Sequence, residues 1–500
     1  MTQTIAPPVA STFDSLDPRT GTVLGSYPVH TADDVAAAVL RARRGAQHWA
    51  GLTAGERRSR LLSWRSVLAR RADELAAVIS SETGKPLDDA RLEVTLVIDH
   101  VHWAARNAEK VLGRTAVSVG LMMANQRATV EHKPVGVVGV IGPWNYPAFT
   151  PMGSVVYALA AGNAVVLKPS ELTPGVGRWL VESFATPSGS PDGAPVLQLV
   201  TGFGETGAAL CTAGVDKVAF TGSTRTAKRV MAACAETLTP VVLECGGKDA
   251  MIVDADADLE AAADAAVWGG MSNSGQTCIG MERVYVVDAV HDRFVELVAA
   301  KARALRPGPT DRASYGPMTM ASQVDVVRSH VQAALEGGGR AVVGGAESVR
   351  APYVDPVVLL DVPEDNLAVT EETFGPVLVV NRVADADEAV ERANGGTYGL
   401  GASVFAKARG DELAGRLRVG MVAVNSVISF AAIAEVPFGG VGDSGFGRIH
   451  GADGLREFTR THSVVSQRFA LPVKLMSFDR GPRMAGQLVR ALRLTRGRRR

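Results

Sequence analysis

Two series of short apolar runs, alternating with stretches of helical periodicity, restrict the folds open to this chain. The first comprises VGVVGVI (135–141), AVVLK (164–168), PVLQLV (195–200), KVAF (217–220) and PVVLE (240–244). The second comprises MIV (251–253), RVYVV (283–287), VLVV (377–380), GASVF (401–405) and MVAVN (421–425). Strands that are apolar on both faces suit the middle of a parallel sheet, where crossover helices cover both sides. An α/β protein with two such units is therefore expected. Its 500 residues exceed what one core usually encloses, which agrees with more than one unit.

The remaining chain has a different texture. From Thr31 to about Leu112 the pattern is helical, with Asp33 and Asp34 placed as first-turn acids ahead of Val35, Ala38 and Val39. Between Val117 and His132, short extended segments flank an Ala124-Asn125-Gln126 turn and read as a β-hairpin apart from the helices. Lys plus Arg and Asp plus Glu each total 52, so bulk charge gives no reason to expect a nucleic-acid partner. Cys211, Cys234, Cys245 and Cys278 have neither disulfide-framework nor zinc-ligand spacing. No metal is expected, and a reducing, cytoplasmic setting is. Met1 to Asp17 lacks the basic and apolar regions of a secretory signal. The charge-free stretch from Pro134 to Leu167 is interrupted by Pro143, Asn145, Pro147 and Pro151 and does not read as a spanning helix.

The C-terminal tail is basic. Arg483, Arg490 and Arg493 fall on one side of a helical pattern and Met484, Leu488, Ala491 and Leu492 on the other, before Arg498-Arg499-Arg500. Such a segment suits an anionic membrane surface; a solvated tail is the simpler reading.

Three local features carry chemistry. Cys278 ends the run Asn273-Ser274-Gly275-Gln276-Thr277-Cys278, a Gly-containing loop in which a thiol is accessible to a nucleophile's task; a small buried apolar residue is the bland alternative. Gly202-Phe203-Gly204-Glu205-Thr206-Gly207 matches G-x-G-x-x-G between an apolar run and a helix, where backbone could approach a pyrophosphate, although an ordinary tight turn would need no ligand. Phe220-Thr221-Gly222-Ser223-Thr224 is a second strand-to-helix turn with free N–H groups and hydroxyls to receive phosphate.

Seven motifs occur in an order that is similar to the NAD(P)-dependent aldehyde dehydrogenases, from about Asp17 to Thr461. They are Pro143-Trp144-Asn145-Tyr146-Pro147, Lys168-Pro169-Ser170-Glu171, Phe220-Thr221-Gly222-Ser223, Glu244-Cys245-Gly246-Gly247-Lys248, Gly275-Gln276-Thr277-Cys278, Glu371-Glu372-Thr373-Phe374-Gly375-Pro376 and Pro437-Phe438-Gly439-Gly440. The resemblance implies a Rossmann-type NAD-binding domain (1–116 and 135–246), an α/β catalytic domain (247–445), an oligomerisation element (117–134 and 458–475) and a basic tail (476–500). It implies a homodimer or homotetramer acting on a small-molecule aldehyde.

The resemblance also assigns roles. Cys278 matches the nucleophile, its thiolate favoured by helix-terminus N–H groups and the positive nicotinamide ring. Asn145 matches the side-chain donor to the oxyanion, and Glu244 the base that activates water against a thioester. Lys168, Ser170 and Glu171 resemble the adenosine-ribose contacts. Thr221, Gly222 and Ser223 resemble the pyrophosphate contacts, with Pro143 and Trp144 close by, and Glu372 and Phe374 the contacts to the nicotinamide ribose and ring. Gly204 joins them through the glycine fingerprint. Glu171 would repel a 2′-phosphate, so NAD is expected, with NADP as the alternative. Glu244 argues for hydrolysis rather than transfer to coenzyme A; a semialdehyde-specific or coenzyme A-acylating relative is the alternative. Cys245 stands where relatives usually have Leu, and the run 437–447 resembles the class 3 branch, which favours larger apolar aldehydes.

Overall fold

The apolar runs become strands of two sheets. A computed structural model describes residues 11–120, 123–188, 193–470, 477–478 and 480–497. The first sheet has six strands in the order Gly445–Phe446, Val241–Cys245, Lys217–Gly222, Val137–Ile141, Ala164–Lys168, Leu197–Leu199. All pair in parallel except Gly445–Phe446, which closes one edge antiparallel to Val241–Cys245. Val137–Ile141, Ala164–Lys168 and Val218 to Ala219 are buried throughout, as strands sandwiched between helices must be. Chain order runs outward from Val137–Ile141 in one direction and restarts at Lys217–Gly222 in the other. That reversal makes the carboxyl ends of these two strands a switch point, where a crevice opens.

The second sheet has seven strands in the order Arg340–Val343, Val357–Leu360, Val377–Val383, Met281–Val287, Asp249–Val253, Gly401–Phe405, Met421–Val424. Only the pair Arg340–Val343 and Val357–Leu360 is antiparallel. Neither of those two strands is among the apolar runs named above, although Val357–Leu360 is apolar and buried along its length. The helical stretch from Thr31 resolves into Ala32–Gly51, Ala54–Arg70, Ala72–Thr83 and Leu87–Leu112. Thr31 with Asp34, and Thr53 with Glu56, form capping boxes that satisfy the first free N–H groups of two of these helices. A hairpin of Thr12–Leu16 and Val23–Pro28 precedes them, unanticipated because its residues alternate too weakly.

The chain divides into two compact units, Met1–Leu112 with Lys133–Arg460, and Gly113–His132 with Thr461–Arg500. Both sheets lie in the first. The second carries most of a three-stranded sheet, ordered Thr459–Gln467, Gln126–Pro134, Thr115–Val117. The expected hairpin is therefore present, with its first strand earlier than Val117–His132 implied. The helix Met484–Arg496 follows, with Met484 and Leu488 half-buried and Arg490 and Arg493 exposed. Residues 121–122 and 471–475 of the expected oligomerisation element, and 476, 479 and 498–500 of the expected tail, lie outside the described residues. Among the described residues no helix is long and apolar enough to cross a membrane.

Candidate active site

The run Glu244-Cys245-Gly246-Gly247 carries the chain from the first sheet to the second, and its two glycines permit close approach. A Cβ on Gly246 would stand 2.1 Å from the Glu372 carboxylate, and one on Gly247 would stand 2.8 Å from the Cys278 carbonyl. Three distant segments thereby converge. Glu244 lies in Val241–Cys245, paired with Thr221 on one side and Gly445 on the other. Ser444 locks this edge: its carbonyl accepts from Cys245 N at 3.1 Å and its hydroxyl donates to the Gly246 carbonyl at 2.7 Å.

The loop that presents Cys278 is wound left-handed. Asn273, Ser274 and Gly275 have φ of 52°, 59° and 70°, a conformation that costs on the order of 1–3 kcal/mol for a serine. Hydrogen bonds hold it. Ser274 Oγ donates to the Gly316 carbonyl at 2.7 Å, Gln276 Nε2 donates to the Asn273 carbonyl at 2.9 Å, and Gln276 Oε1 accepts from Thr319 N at 2.8 Å. The same loop orients Asn145, whose Nδ2 donates to the Gln276 carbonyl at 3.0 Å. Only the amide nitrogen can face a carbonyl, so the carboxamide orientation is fixed and its second hydrogen is left for another acceptor.

Electrostatics follow from burial. Both Glu244 carboxylate oxygens are buried without a hydrogen-bond partner. Desolvation pushes the carboxyl up to about 7, partly offset by the facing Cys278 thiol and Thr221 hydroxyl. Burial, then the neighbouring Glu244, holds the Cys278 thiol well above its ordinary range, with Glu372 and Asp249 adding to the effect. The expected helix-terminus stabilisation of the thiolate is not what the structure shows. Cys278 follows the short turn Ser272–Gly275 and precedes the strand Met281–Val287, so no helix starts at it. Cys245 is buried and its thiol is pushed up to about 12, chiefly by desolvation, which disfavours its thiolate.

Two cavities meet at these residues. A cleft of about 270 Å³ is lined by Pro143, Trp144, Asn145, Thr221, Gly222, Ser223, Glu372 and Phe374. A second cavity, of about 340 Å³, is bordered mainly by aliphatic and aromatic side chains, among them Phe149, Ile279 and Phe438. Glu244 and Cys278 line both. The cleft opens at the switch point of the first sheet, where Ser223 caps the helix Thr224–Ala235 by accepting from Thr226 N. Trp144 and Phe374 meet edge to face, ring centroids 5.5 Å apart.

The segment 372–374 is clamped by a buried network that sequence reading missed. Lys248 Nζ is ion-paired with Glu282 and donates to Thr373 Oγ1 at 3.0 Å. Glu282 accepts from Thr373 N at 2.8 Å and Phe374 N at 2.9 Å, and Gln323 Nε2 donates to the Thr373 carbonyl at 2.8 Å. Glu372 accepts from Gly247 N at 3.1 Å, and its carboxyl is pushed up to about 8 by burial and then by Glu282. Lys85 and Glu93 were missed as well. Glu93 had a signal, a carboxylate on the buried stripe of Ala90, Val94 and Val97 in Leu87–Leu112.

The adenosine-side candidates are placed apart from both cavities' linings. Lys168 ends the strand Ala164–Lys168 and is buried, as is Ser170 just beyond it; Lys168 Nζ donates to the Pro169 carbonyl at 3.2 Å, and Glu171 lies 3.9 Å from that ammonium. Gly204 starts the helix Gly204–Thr212, and a Cβ there would meet nothing within 4 Å. The residues of the switch-point cleft fit a dinucleotide: free N–H groups at a capped helix start, an aromatic pair, and a carboxylate aimed into the cleft.

Comparison with known proteins agrees with this architecture. The family model described as "Aldehyde dehydrogenase family" matches residues 6–464. The chain is 39% identical over 466 residues to 4,4'-diapolycopene aldehyde oxidase of Methylomonas sp, covering 92% of this chain and 87% of that protein. It is 35% identical over 452 residues to a probable succinate-semialdehyde dehydrogenase [NADP(+)] of Sinorhizobium fredii (strain NBRC 101917 / NGR234), covering 89% and 91%. The crystal structure of an NAD-dependent aldehyde dehydrogenase from Sinorhizobium meliloti superposes with a TM-score of 0.88 at 35% identity, covering 93% of each chain. Motif order, doubly wound fold and whole-length similarity converge: this chain is an oxidoreductase that belongs to the aldehyde dehydrogenase family.

Proposed function

We propose that the chain oxidises an aldehyde to the carboxylic acid with NAD, through a thiohemiacetal and then a thioester on Cys278. The observation that supports this most directly is that Cys278 and Glu244 line both the apolar cavity and the polar cleft. An aldehyde in one can then meet a cofactor in the other across a single thiol.

Cys278 Sγ attacks the aldehyde carbon. Its thiol is protonated at rest, because burial and three carboxylates disfavour the thiolate. Glu244, pushed up to about 7 and facing the Cys278 thiol, takes that proton. The developing oxyanion receives the second amide hydrogen of Asn145 and the main-chain N–H of Cys278. Bound in the cleft, the nicotinamide would accept the hydride that leaves the thiohemiacetal carbon. Once Glu244 has released that first proton to solvent, it deprotonates a water, which adds to the thioester carbonyl and expels the Cys278 thiolate with the free acid.

Thr221, Gly222 and Ser223 would hold the pyrophosphate, with Pro143 and Trp144 beside it. Glu372 and Phe374 would hold the nicotinamide ribose and ring, and Lys168, Ser170 and Glu171 the adenosine ribose, with Gly204 at the neighbouring turn. The Glu171 carboxylate favours NAD, with NADP as the alternative. In this reading, 1–116 and 135–246 form the NAD-binding domain, 247–445 the catalytic domain, 117–134 and 458–475 an oligomerisation element of a homodimer or homotetramer, and 476–500 a basic tail. The enzyme works in the cytoplasm.

Rapid-mixing kinetics of Glu244→Gln test the assignment. One equivalent of NADH per site should form in a burst, with a stalled thioester. Steady turnover at the wild-type rate would remove Glu244 from its role, and an acyl-coenzyme A product would replace hydrolysis by transfer.

A further inference from the structure

The cavity of about 340 Å³ that reaches Cys278 is lined by carboxyl groups, and its lysine is already committed. Lys85 Nζ is paired with Glu93 at 2.8 Å, donates to the Asn145 carbonyl at 2.8 Å and lies 4.2 Å over the Tyr146 ring. Asp89 and Glu93 add carboxyl groups to the same wall. His450 is buried, both ring nitrogens lack a partner, and burial with the adjacent His100 ring keeps it neutral. No arginine is among the described residues lining the cavity. A substrate carboxylate placed here would be desolvated beside like charges, without a free counter-ion.

The edge of the cavity is apolar and wet. Leu92 and Trp268, from the helices Leu87–Leu112 and Leu259–Met271, both line it, yet they are 61% and 55% exposed. Two large apolar side chains that line the cavity and are left in water mark apolar surface to be covered.

We propose that the substrate is an uncharged aldehyde with a long apolar chain, which fills the cavity and covers Leu92 and Trp268, and not a carboxylate-bearing semialdehyde. The proposal rests on the reading of Cys278 given above. Hydrocarbon sealed in this way gains contact with the cavity wall for each methylene added, whereas a terminal carboxylate gains none.

The test is a comparison of kcat/KM for propanal, hexanal, decanal and succinic semialdehyde with the full chain and NAD. We expect kcat/KM to rise about fourfold per added methylene until the cavity is filled. Succinic semialdehyde should fall on the order of a hundredfold below hexanal. Leu92→Ser and Trp268→Ser, both at exposed positions, should each lower kcat/KM for decanal about fivefold, through KM, and lower that for propanal less. A series flat in chain length, or succinic semialdehyde equal to or better than hexanal, would overturn the proposal. Neither NADH nor, with NADP supplied in place of NAD, NADPH from any of the four aldehydes would instead remove the reading of Cys278, and this inference with it.

Discussion

Lys85 Nζ donates to the main-chain carbonyl of Asn145 at 2.8 Å while paired with Glu93 at the same distance. The other oxygen of Glu93 accepts from Ala148 N at 2.9 Å and Phe149 N at 3.0 Å, at the start of the helix Phe149–Ala160. One buried ion pair therefore fixes the turn that carries Asn145, from a helix more than fifty residues earlier.

Lys85→Met leaves Glu93 buried without its counter-ion, which is expected to cost about 3–5 kcal/mol. It also frees the Asn145 turn, so kcat should fall more than KM rises. Lys85→Met combined with Glu93→Leu should recover part of the stability in urea titrations without recovering kcat. Recovery of both would make the pair purely structural.

The raised carboxyls set a pH dependence. With Glu244 acting as the ionised base, kcat should climb as pH rises through about 7 and level above it. Stability should run the other way. Glu244 and Glu372 are held above their ordinary 4.5, at about 7 and about 8. The folded state binds these protons more tightly, so their contribution is complete below about 4.5 and lost as pH rises through 7 to 8. Glu244→Gln should then melt higher than wild type at pH 8.5, by an amount that shrinks towards pH 5. A Tm difference independent of pH would contradict this.

Gly275→Ala should not yield folded protein in usable amount. Its φ is +70°, and a Cβ would stand 2.2 Å from the Gly375 carbonyl group, a main-chain contact that cannot move aside. Gly204→Ala, with open space around the added carbon, should change stability by less than about 1 kcal/mol. Thermal melting of the two variants side by side checks the contrast.

Glu171 lies 3.9 Å from Lys168 Nζ, and its side chain is 42% exposed, within reach of solvent and ligand. Glu171→Gln removes the repulsion expected against a 2′-phosphate. The ratio of kcat/KM for NADP to that for NAD should rise about tenfold, equivalent to about 1.4 kcal/mol. An unchanged ratio would place cofactor choice elsewhere.

Much of this architecture could be read from apolar runs. Ala164–Lys168 and Gly401–Phe405 coincide with the runs that announced them, because a strand buried on both faces must be apolar along its whole length. The strands Arg340–Val343 and Gly445–Phe446 were not legible. One is an edge strand with exposed Arg340, and the other is two residues long and exists through its pairing with Leu243 and Glu244. The motif order placed Cys278, Glu244 and Asn145 in one family pattern, but not the contacts that hold them.

The sequence by itself determined the α/β class, the family and the residue types offered for catalysis, since these depend on local periodicity and on ordered motifs. Tertiary structure alone decided that the Cys278 thiol lacks a helix terminus, that Glu244 has no hydrogen-bond partner, and that Lys85 and Glu282 position Asn145 and Phe374. Each of these is a matter of desolvation or of contact between segments far apart in the chain. A carboxylate's pKa and a side chain's partner are set by what surrounds them in space, which no local pattern records.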